Sequence, residues 1–244
     1  MDDAKLTTRV YRYERVDSTM DLLHQLAEDG APAGTAVVAG EQLGGRGSRG
    51  RSWHSPPGGL WLSVLLRPRS VGATEVMSLR AGLCVARILD RFLSTPVGLK
   101  WPNDLMLGER KLGGILCEAR WQGPMLAWVA VGVGLNVRNQ PPAELRQSAV
   151  SVLEHRSDLQ VEDLLDPIVG GLRTLDFEAD RLSPGELDEF AARSWLAGRR
   201  IREPLCGTVA GVGADGTLRV RTRDGAQVAV RSGSVELADL SHSL

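Results

Sequence analysis

A glycine- and arginine-rich segment is the first part of this sequence whose residue types could do chemistry. Guanidinium groups bind phosphates and carboxylates through paired hydrogen bonds, and glycines let the backbone approach such an anion closely. No Gly-Lys-Ser/Thr follows, so the segment is not a Walker phosphate loop. It predicts a site for a small polyanion, although a solvated RNA-binding loop has the same composition. The segment reads Gly45-Arg46-Gly47-Ser48-Arg49-Gly50-Arg51.

Two further runs carry polar or glycine residues in strand-like surroundings. The first is Lys100-Trp101-Pro102-Asn103-Asp104, followed by Arg110-Lys111 across a predicted turn. An Asn-Asp pair at a strand kink can hold Mg²⁺ and nucleotide groups, and a facing lysine can bridge two anions, but an ordinary turn has the same residues. The second run, 131–137, alternates glycine with apolar residues, so a ligand could lie against its backbone, although strand glycines also mark bulges.

Composition limits the classes of function. The 244 residues are 43% hydrophobic and carry a net charge of -1, which excludes a strong nonspecific hold on nucleic acid or anionic membranes. Three scattered cysteines, Cys84, Cys117 and Cys206, predict buried thiols in a reducing compartment. Neither a signal core nor a membrane-spanning run is visible, so we expect a cytoplasmic protein.

The histidines show neither metal-ligand nor catalytic-triad spacing. We expect His24, His155 and His242 at the surface or on helices. Only His54, beside the arginine-rich segment, is placed where it could matter.

Hydrophobic periodicity predicts the elements that would position these residues. A helix is expected over 17–29 with a Ser18–Asp21 capping box, and a core helix over 75–93. Strands are expected at 35–39 and 59–66 around a loop from Gly40 to Gly58, and again at 97–107, 111–120 and 126–137. The runs 97–107 and 111–120 resemble a hairpin, so the sheet is at least partly antiparallel.

From about residue 159 onward, the predicted elements are first helices and then short strands. Helices are expected near 159–180 and 183–196, the second with Pro184 in its first turn. After Gly198, short alternating strands between glycine-rich turns predict a small β-barrel of about 45 residues. We therefore expect two domains, 1–197 and 198–244.

Taken in order over nearly the whole chain, these segments resemble the biotin protein ligase family. The resemblance implies an α+β fold with a mixed sheet flanked by helices, related to class II synthetase and lipoate ligase domains, plus an SH3-like β-barrel. Met20 and Ser48 stand where the family often has Asn and Arg. About 10 residues precede the first matched strand, so we expect a monofunctional member without the helix-turn-helix of repressor types and without specific DNA binding. The matching pieces are Asp17-Ser18-Thr19, Gln42, Gly45-Arg46-Gly47, Lys100-Trp101-Pro102-Asn103-Asp104, Arg110 to Leu116, and Gly132 to Asn136.

The resemblance implies ATP-dependent conversion of biotin to biotinyl-5'-AMP with release of pyrophosphate. Biotin would then pass to a lysine of a biotin carboxyl carrier protein or domain. Lys111, Arg46 and Asp104 would be catalytic, with Asp104 also holding Mg²⁺. The implied biotin-binding residues are Ser18, Thr19, Gln42, Arg46, Gly47, Ser48, Lys111 and Gly114. The implied ATP- and adenylate-binding residues are Arg49, Arg51, Trp53, Asn103, Asp104, Lys111 and Asn136.

This chemistry joins two anions, so cations must converge where the biotin carboxylate meets the α-phosphate. A lipoate or octanoyl ligase on the same fold is the nearest alternative, although Gln42, Ser18 and Thr19 suit the ureido ring of biotin better. A noncatalytic nucleotide- or RNA-binding module is the alternative from another class. The near-neutral charge and an aromatic content of 5% argue against that module.

Overall fold

Two sheets organise the chain in this computed structural model, which describes residues 9–68, 70 and 72–238. The first sheet contains β1 (Val10–Val16), β2 (Ala36–Gln42), β3 (Leu60–Leu66), β4 (Gly98–Lys100), β5 (Asp104–Leu107), β6 (Arg110–Gln122) and β7 (Met125–Leu135). The second contains β8 (Arg200–Glu203), β9 (Gly207–Val212), β10 (Leu218–Arg221), β11 (Gln227–Val230) and β12 (Glu236–Leu237). The α-helices are α1 (Thr19–Glu28), α2 (Ala73–Leu89), α3 (Val161–Arg173) and α4 (Pro184–Arg193).

The first sheet is mixed, as predicted. Its order is β1-β2-β3-β7-β6-β5-β4, with β1 parallel to β2 and every other neighbouring pair antiparallel. The hairpin expected between the runs around Asp104 and Lys111 is confirmed as β5–β6. The single strand expected over 97–107 is wrong, because the chain turns at the cis Trp101-Pro102 bond and β4 pairs back on β5.

Alternation along the strands gives this sheet two different faces. Leu62 and Val64 belong to the large core cluster beneath α2 and α3, whereas Leu65 belongs to a smaller cluster beneath α1. Helix α1 contacts β2, β3 and β7. The same face over β4, β5 and β6 is therefore left for the arginine-rich segment to cover, and this arrangement creates the cavity described below.

Two helix starts test the predicted caps. Ser18 is the N-cap of α1, but the capping box with Asp21 is wrong, since the Ser18 side chain makes no cap hydrogen bond. Asp21 instead binds an arginine of the glycine-rich segment. Ser183 and Glu186 do form a capping box at α4, and Pro184 occupies its first turn as expected.

The second sheet is wholly antiparallel, in the order β11-β10-β9-β8-β12, which agrees with the predicted SH3-like β-barrel. Its buried side chains, such as Val209 and Val220, join the same core cluster as Leu196. The Trp101 indole nitrogen also donates to the Gly216 carbonyl oxygen at 2.8 Å. The packing is therefore continuous across the expected boundary at 197, and the division into two domains stays a prediction.

The cysteines are all free, as expected, but they are not all buried. Burial raises the pKa of Cys84 to about 11 and that of Cys117 to about 12, so both thiols are unreactive at neutral pH. Cys206 is exposed on the turn before β9, which corrects the expectation of a buried thiol. Among the described residues, no helix combines the length and apolar character needed to cross a membrane.

Candidate active site

A cavity of about 550 Å³ lies on the sheet face beside α1, under the arginine-rich segment. Every site residue predicted from the sequence lines it except Arg49. The roofing segment is ordered by backbone hydrogen bonds that make it an irregular hairpin, with Gln42 opposite Ser55 and Arg46 opposite Ser52. Elements far apart in the chain thus converge on one enclosed space.

Glycines form the floor of this cavity. Lys100, Asp104, Gly114 and Gly134 are direct cross-strand partners in one row over β4, β5, β6 and β7. A Cβ atom at Gly134 would lie 2.7 Å from the indole nitrogen of Trp53, so only glycine lets this ring lie on the strand. That indole nitrogen is buried and has no hydrogen-bond partner among the described residues, so a ligand acceptor can satisfy it.

A chain of amide and hydroxyl groups forms the end of the cavity next to α1. The Gln42 Oε1 atom accepts hydrogen bonds from the Thr19 backbone nitrogen at 2.9 Å and the Thr19 hydroxyl at 3.0 Å. The Gln42 Nε2 atom donates to the Ser55 hydroxyl at 2.9 Å, and the Thr19 and Ser63 hydroxyls lie 2.8 Å apart. Ser18 is 2% exposed beside them. Donors and acceptors alternate here in a mostly buried part of the cavity, which suits a small neutral polar ring.

Lys111 supplies the central positive charge. Its Nζ atom is 2.6 Å from the Asp104 Oδ1 atom and 5.0 Å from the centre of the Trp53 ring. Backbone hydrogen bonds to Ser148 and Val150 hold the Lys111 backbone at this position. The carboxylate and the ring orient the ammonium group without removing it from the cavity, so it can meet an incoming anion.

The loop arginines have three different environments. Arg46 makes two hydrogen bonds of 2.7 Å to Asp21, and its Nε atom lies 3.5 Å from Glu118, so its charge is already matched by carboxylates and its pKa is raised. Arg51 lines the cavity and bonds to the oxygen atoms of Ser48. Arg49, with a left-handed φ of 62°, instead donates to Ser234 near β12 at 2.7 Å. The catalytic role predicted for Arg46 and the nucleotide role predicted for Arg49 stay predictions.

A buried polar chain fixes Arg46 from below. Trp128 can only donate its indole N–H, so the His24 Nδ1 atom 3.0 Å away is the acceptor. The His24 Nε2 atom then carries the proton and donates to Glu118 at 3.0 Å. This hydrogen bond and the neighbouring Arg46 charge lower the pKa of Glu118 to about 2, against the opposing effect of burial. His24 lies on α1, which agrees with the expected surface or helix position, but it is buried, with only 5% of the residue exposed.

The two asparagines have mainly internal partners. Asn103 donates from Nδ2 to the Ile115 carbonyl at 2.9 Å, which closes the turn into β5. Asn136 donates to the Val150 carbonyl at 3.3 Å and accepts from Asn139 at 2.9 Å. Both line the cavity, but the Asn136 amide is engaged at both ends. Their predicted contacts with a nucleotide stay predictions.

The predicted metal ligand is a single carboxylate. In the described part of the chain, no group of three or more His, Cys, Asp or Glu side chains could hold a metal ion. Asp104 lies on the cavity floor beside Lys111, with 17% of its side chain exposed. Mg²⁺ in nucleotide enzymes commonly takes one or two carboxylates and completes its shell with phosphates and water. The residues present therefore fit a magnesium ion that arrives with a nucleotide.

The structure also brings in residues that sequence reasoning missed. Ser63 joins the polar end of the cavity, and its signal was its position as the single polar residue of β3. Lys100 and Trp195 line the opposite end. Lys100 belongs to a motif that the sequence singled out without giving it a role. Trp195 carried no signal, because it follows α4 and reaches the cavity only through tertiary packing.

The mixed sheet, the glycine floor and the roofing arginine segment define the class: a catalytic domain of the biotin ligase type, followed by an SH3-like barrel. The family model described as the biotin/lipoate A/B protein ligase family matches residues 13–136. The chain belongs to this family.

Ligases from several organisms are similar to this chain in sequence. The biotin--[acetyl-CoA-carboxylase] ligase of Mycobacterium tuberculosis is 33% identical over 208 residues, covering 80% of this chain and 74% of that protein. The bifunctional ligase/repressor BirA of Bacillus subtilis is 37% identical over 145 residues, but the match covers only 45% of its length and 57% of this chain. The chain thus spans about half the length of this ligase/repressor and of a second Bacillus protein of the same kind.

A solved structure extends the likeness to both sheets. The biotin protein ligase from Aquifex aeolicus in complex with biotin and ATP has a TM-score of 0.78 and 26% sequence identity. The match covers 94% of this chain and 99% of that chain. It therefore includes the second sheet, which the family model does not reach.

Proposed function

We propose that this chain is a biotin protein ligase. It activates biotin with ATP to biotinyl-5'-AMP, releases pyrophosphate, and transfers biotin to a specific lysine of a biotin carboxyl carrier protein or domain. The observation that carries the proposal is the single cavity that joins the amide-hydroxyl cluster of Gln42, Thr19 and Ser63 to the Lys111 ammonium group. Family membership and the relatives named above support it.

The polar end of the cavity suits the ureido ring of biotin. This ring presents one carbonyl acceptor and two N–H donors, and the Thr19 and Ser63 hydroxyls together with Gln42 offer both kinds of partner. The apolar walls between this cluster and Lys111, including Met20 and Leu116, would enclose the aliphatic chain. The acid would then project its carboxylate toward Lys111.

Lys111 is the group that brings two anions together. A carboxylate and a phosphate at about 4 Å repel by about 4 kcal/mol per pair of unit charges at an effective dielectric of 20, and a fixed ammonium offsets this repulsion. The carboxylate oxygen attacks the α-phosphorus, and the electron pair of the broken P–O bond leaves with pyrophosphate. Asp104 keeps the ammonium in place, and Trp53 shields it from water.

Magnesium belongs to this proposal as an ion that arrives with ATP. Bound there, it would supply further positive charge to the phosphates. Asp104 is the residue that would hold it, and Asn103 lies beside this carboxylate on the cavity wall.

The roofing segment would protect the mixed anhydride. Arg51 lies at the cavity and is the loop arginine placed to meet a phosphate, while Arg46 fastens the segment to α1 and β6. A cover of this kind slows hydrolysis of a reactive intermediate. We further propose that 1–197 form the catalytic domain, that 198–244 form a barrel that helps to engage ATP and carrier, and that the protein works in the cytoplasm.

Product analysis tests the proposal. The full chain is incubated with ATP, Mg²⁺, biotin and a biotin carboxyl carrier domain, and the products are identified by mass spectrometry. We expect biotinyl-5'-AMP without carrier, and a carrier that gains one biotin on a lysine when it is present. A carrier lysine changed to arginine is the matched control. Absence of both products from a folded chain would contradict the proposal.

A further inference from the structure

Lys100 is a cation at the β4 end of the cavity, and it has no role in the reaction steps proposed above. It lines the cavity, is partly buried, and lies with its Nζ atom 5.3 Å from the centre of the Trp195 ring. It makes no ion pair with any carboxylate in the described ranges, whereas Lys111 is paired with Asp104. The ring provides a cation–π contact but leaves the ammonium without a full counter-charge.

The surroundings of Lys100 contain both cations and carboxylates, but none of these carboxylates forms an ion pair with its ammonium group. Burial lowers its pKa, and the nearby Lys111 and Arg51 cations lower it further, while Asp104 and Glu236 act in the opposite direction. A partly desolvated ammonium group without a paired carboxylate is unfavourable by itself. An anion bound between Lys100, Lys111 and Arg51 would offset this cost. These three cations therefore favour the binding of a polyanion.

The order of the strands indicates where in the cavity the leaving anion would lie. The polar cluster around Ser63 is on β3, Lys111 is on β6, and Lys100 is on β4. With neighbouring strands about 4.8 Å apart, Lys111 lies about 10 Å from β3 and Lys100 about 10 Å further across the sheet. An in-line displacement places the leaving group opposite the attacking oxygen. A carboxylate arriving from β3 therefore drives the leaving group toward β4.

We propose that Lys100, held against Trp195, binds the pyrophosphate that leaves during adenylate formation. This inference rests on the function proposed above. The carboxylate oxygen forms its bond to the α-phosphorus, the bond from that phosphorus to the bridging oxygen breaks, and the departing oxygen takes the electron pair. Lys100 keeps its protons and neutralises part of the charge that develops on pyrophosphate, with Arg51 as its neighbour.

The basic residues of the chain support this assignment. Of the 29 Lys and Arg residues only three are lysines, and two of them, Lys100 and Lys111, line this cavity. A lysine is a compact point charge with three rotatable donors, which suits a mobile phosphate group that must depart. Both positions thus have the side chain expected for transient phosphate contacts.

Direct pyrophosphate binding tests the proposal. Isothermal titration of the full chain with magnesium pyrophosphate compares wild type with Lys100→Gln, and biotin is titrated separately. Loss of one charge-assisted contact should weaken pyrophosphate binding about tenfold or more and leave biotin binding unchanged. Lys100→Arg should restore part of the affinity.

Arg199→Gln is the matched control variant. Arg199 lies 3.9 Å from the Trp195 ring but pairs with Glu109 and does not line the cavity. We expect its pyrophosphate affinity to equal that of the wild type. Wild-type affinity in Lys100→Gln, or equal losses for pyrophosphate and biotin, would overturn the assignment.

Amine labelling of the unmutated protein gives a second readout, independent of variant folding. Brief treatment with acetic anhydride, followed by peptide mass spectrometry, reports the reactivity of each lysine. Pyrophosphate should slow acetylation of Lys100 several-fold, and biotin alone should not. Unchanged labelling with bound pyrophosphate overturns this inference. Absence of biotin-dependent adenylate from an unlabelled portion of the same protein, given ATP and biotin, instead overturns the proposed function.

Discussion

Replacing Glu118 with glutamine tests the buried chain that holds the roofing segment. Glu118 accepts from His24 at 3.0 Å and lies 3.5 Å from the Arg46 Nε atom. Glutamine has nearly the same shape, and its amide oxygen can still accept the hydrogen bond from the His24 Nε2 atom. The substitution therefore removes the negative charge while it retains most of the packing.

The size of the effect follows from the pKa of Glu118, which falls from 4.5 to about 2 on folding. Each pKa unit corresponds to about 1.4 kcal/mol, so this fall sets an upper bound of roughly 3.5 kcal/mol. The Glu118 and Arg46 side chains are 22% and 34% exposed, and solvent screening reduces this bound to about 1–2 kcal/mol. This stabilisation is complete above pH 4.5 and is lost as the pH falls through about 2.

Urea unfolding of both proteins at pH 7, 5 and 3 measures the difference. We expect Glu118→Gln to be less stable by about 1–2 kcal/mol at pH 7 and by less than half that amount at pH 3. Glu41→Gln is the control, because Glu41 pairs with the exposed Arg15 and should contribute under about 1 kcal/mol. Stability curves of wild type and Glu118→Gln that stay parallel across these pH values would refute the reasoning.

Three predictions concern the reaction. Lys111→Gln should fold normally yet lose about 100-fold or more in single-turnover adenylate formation, because the central charge is gone; a wild-type rate would remove Lys111 from catalysis. Gly134→Ala should displace Trp53, because the new Cβ atom would lie 2.7 Å from its indole nitrogen, and should raise the KM for ATP several-fold; an unchanged KM and unchanged indole fluorescence would show that Trp53 does not cover the nucleotide. Ser48→Arg should slow escape of preformed biotinyl-5'-AMP about tenfold or more without changing biotin affinity, because the added guanidinium meets a phosphate present only in the adenylate; equal or faster release would exclude this position from the clamp.

Local patterns predicted most of the elements around the site. The periodicity of 75–93 and the caps of α4 follow from residue types alone, so those predictions largely agree with α2 and α4. Hydrophobic periodicity did not predict strand β1, because its side chains at 12–15 are exposed and carry little apolar alternation. The break between β4 and β5 depends on the Trp101-Pro102 turn and on the bond from Trp101 to Gly216, a partner far away in sequence.

The site itself was predictable as a set of residues but not as a geometry. Glycines and arginines in one segment indicate an anion site, yet the sequence does not say that Arg46 is paired with Asp21 while Arg51 faces the cavity. The burial of His24 could not be predicted, because the acceptor and donor that enclose it, Glu118 and Trp128, come from the β6–β7 hairpin. Such partners become visible only when the sheet is assembled.

Exchange of labelled pyrophosphate into ATP tests the central claim most directly, since it reports reversible adenylate formation without any carrier. We expect exchange that requires biotin, is not supported by lipoate or octanoate, and falls by about 100-fold in Lys111→Gln. Exchange driven equally well by lipoate or octanoate, or no exchange with any acid in a folded chain that binds ATP, would contradict it.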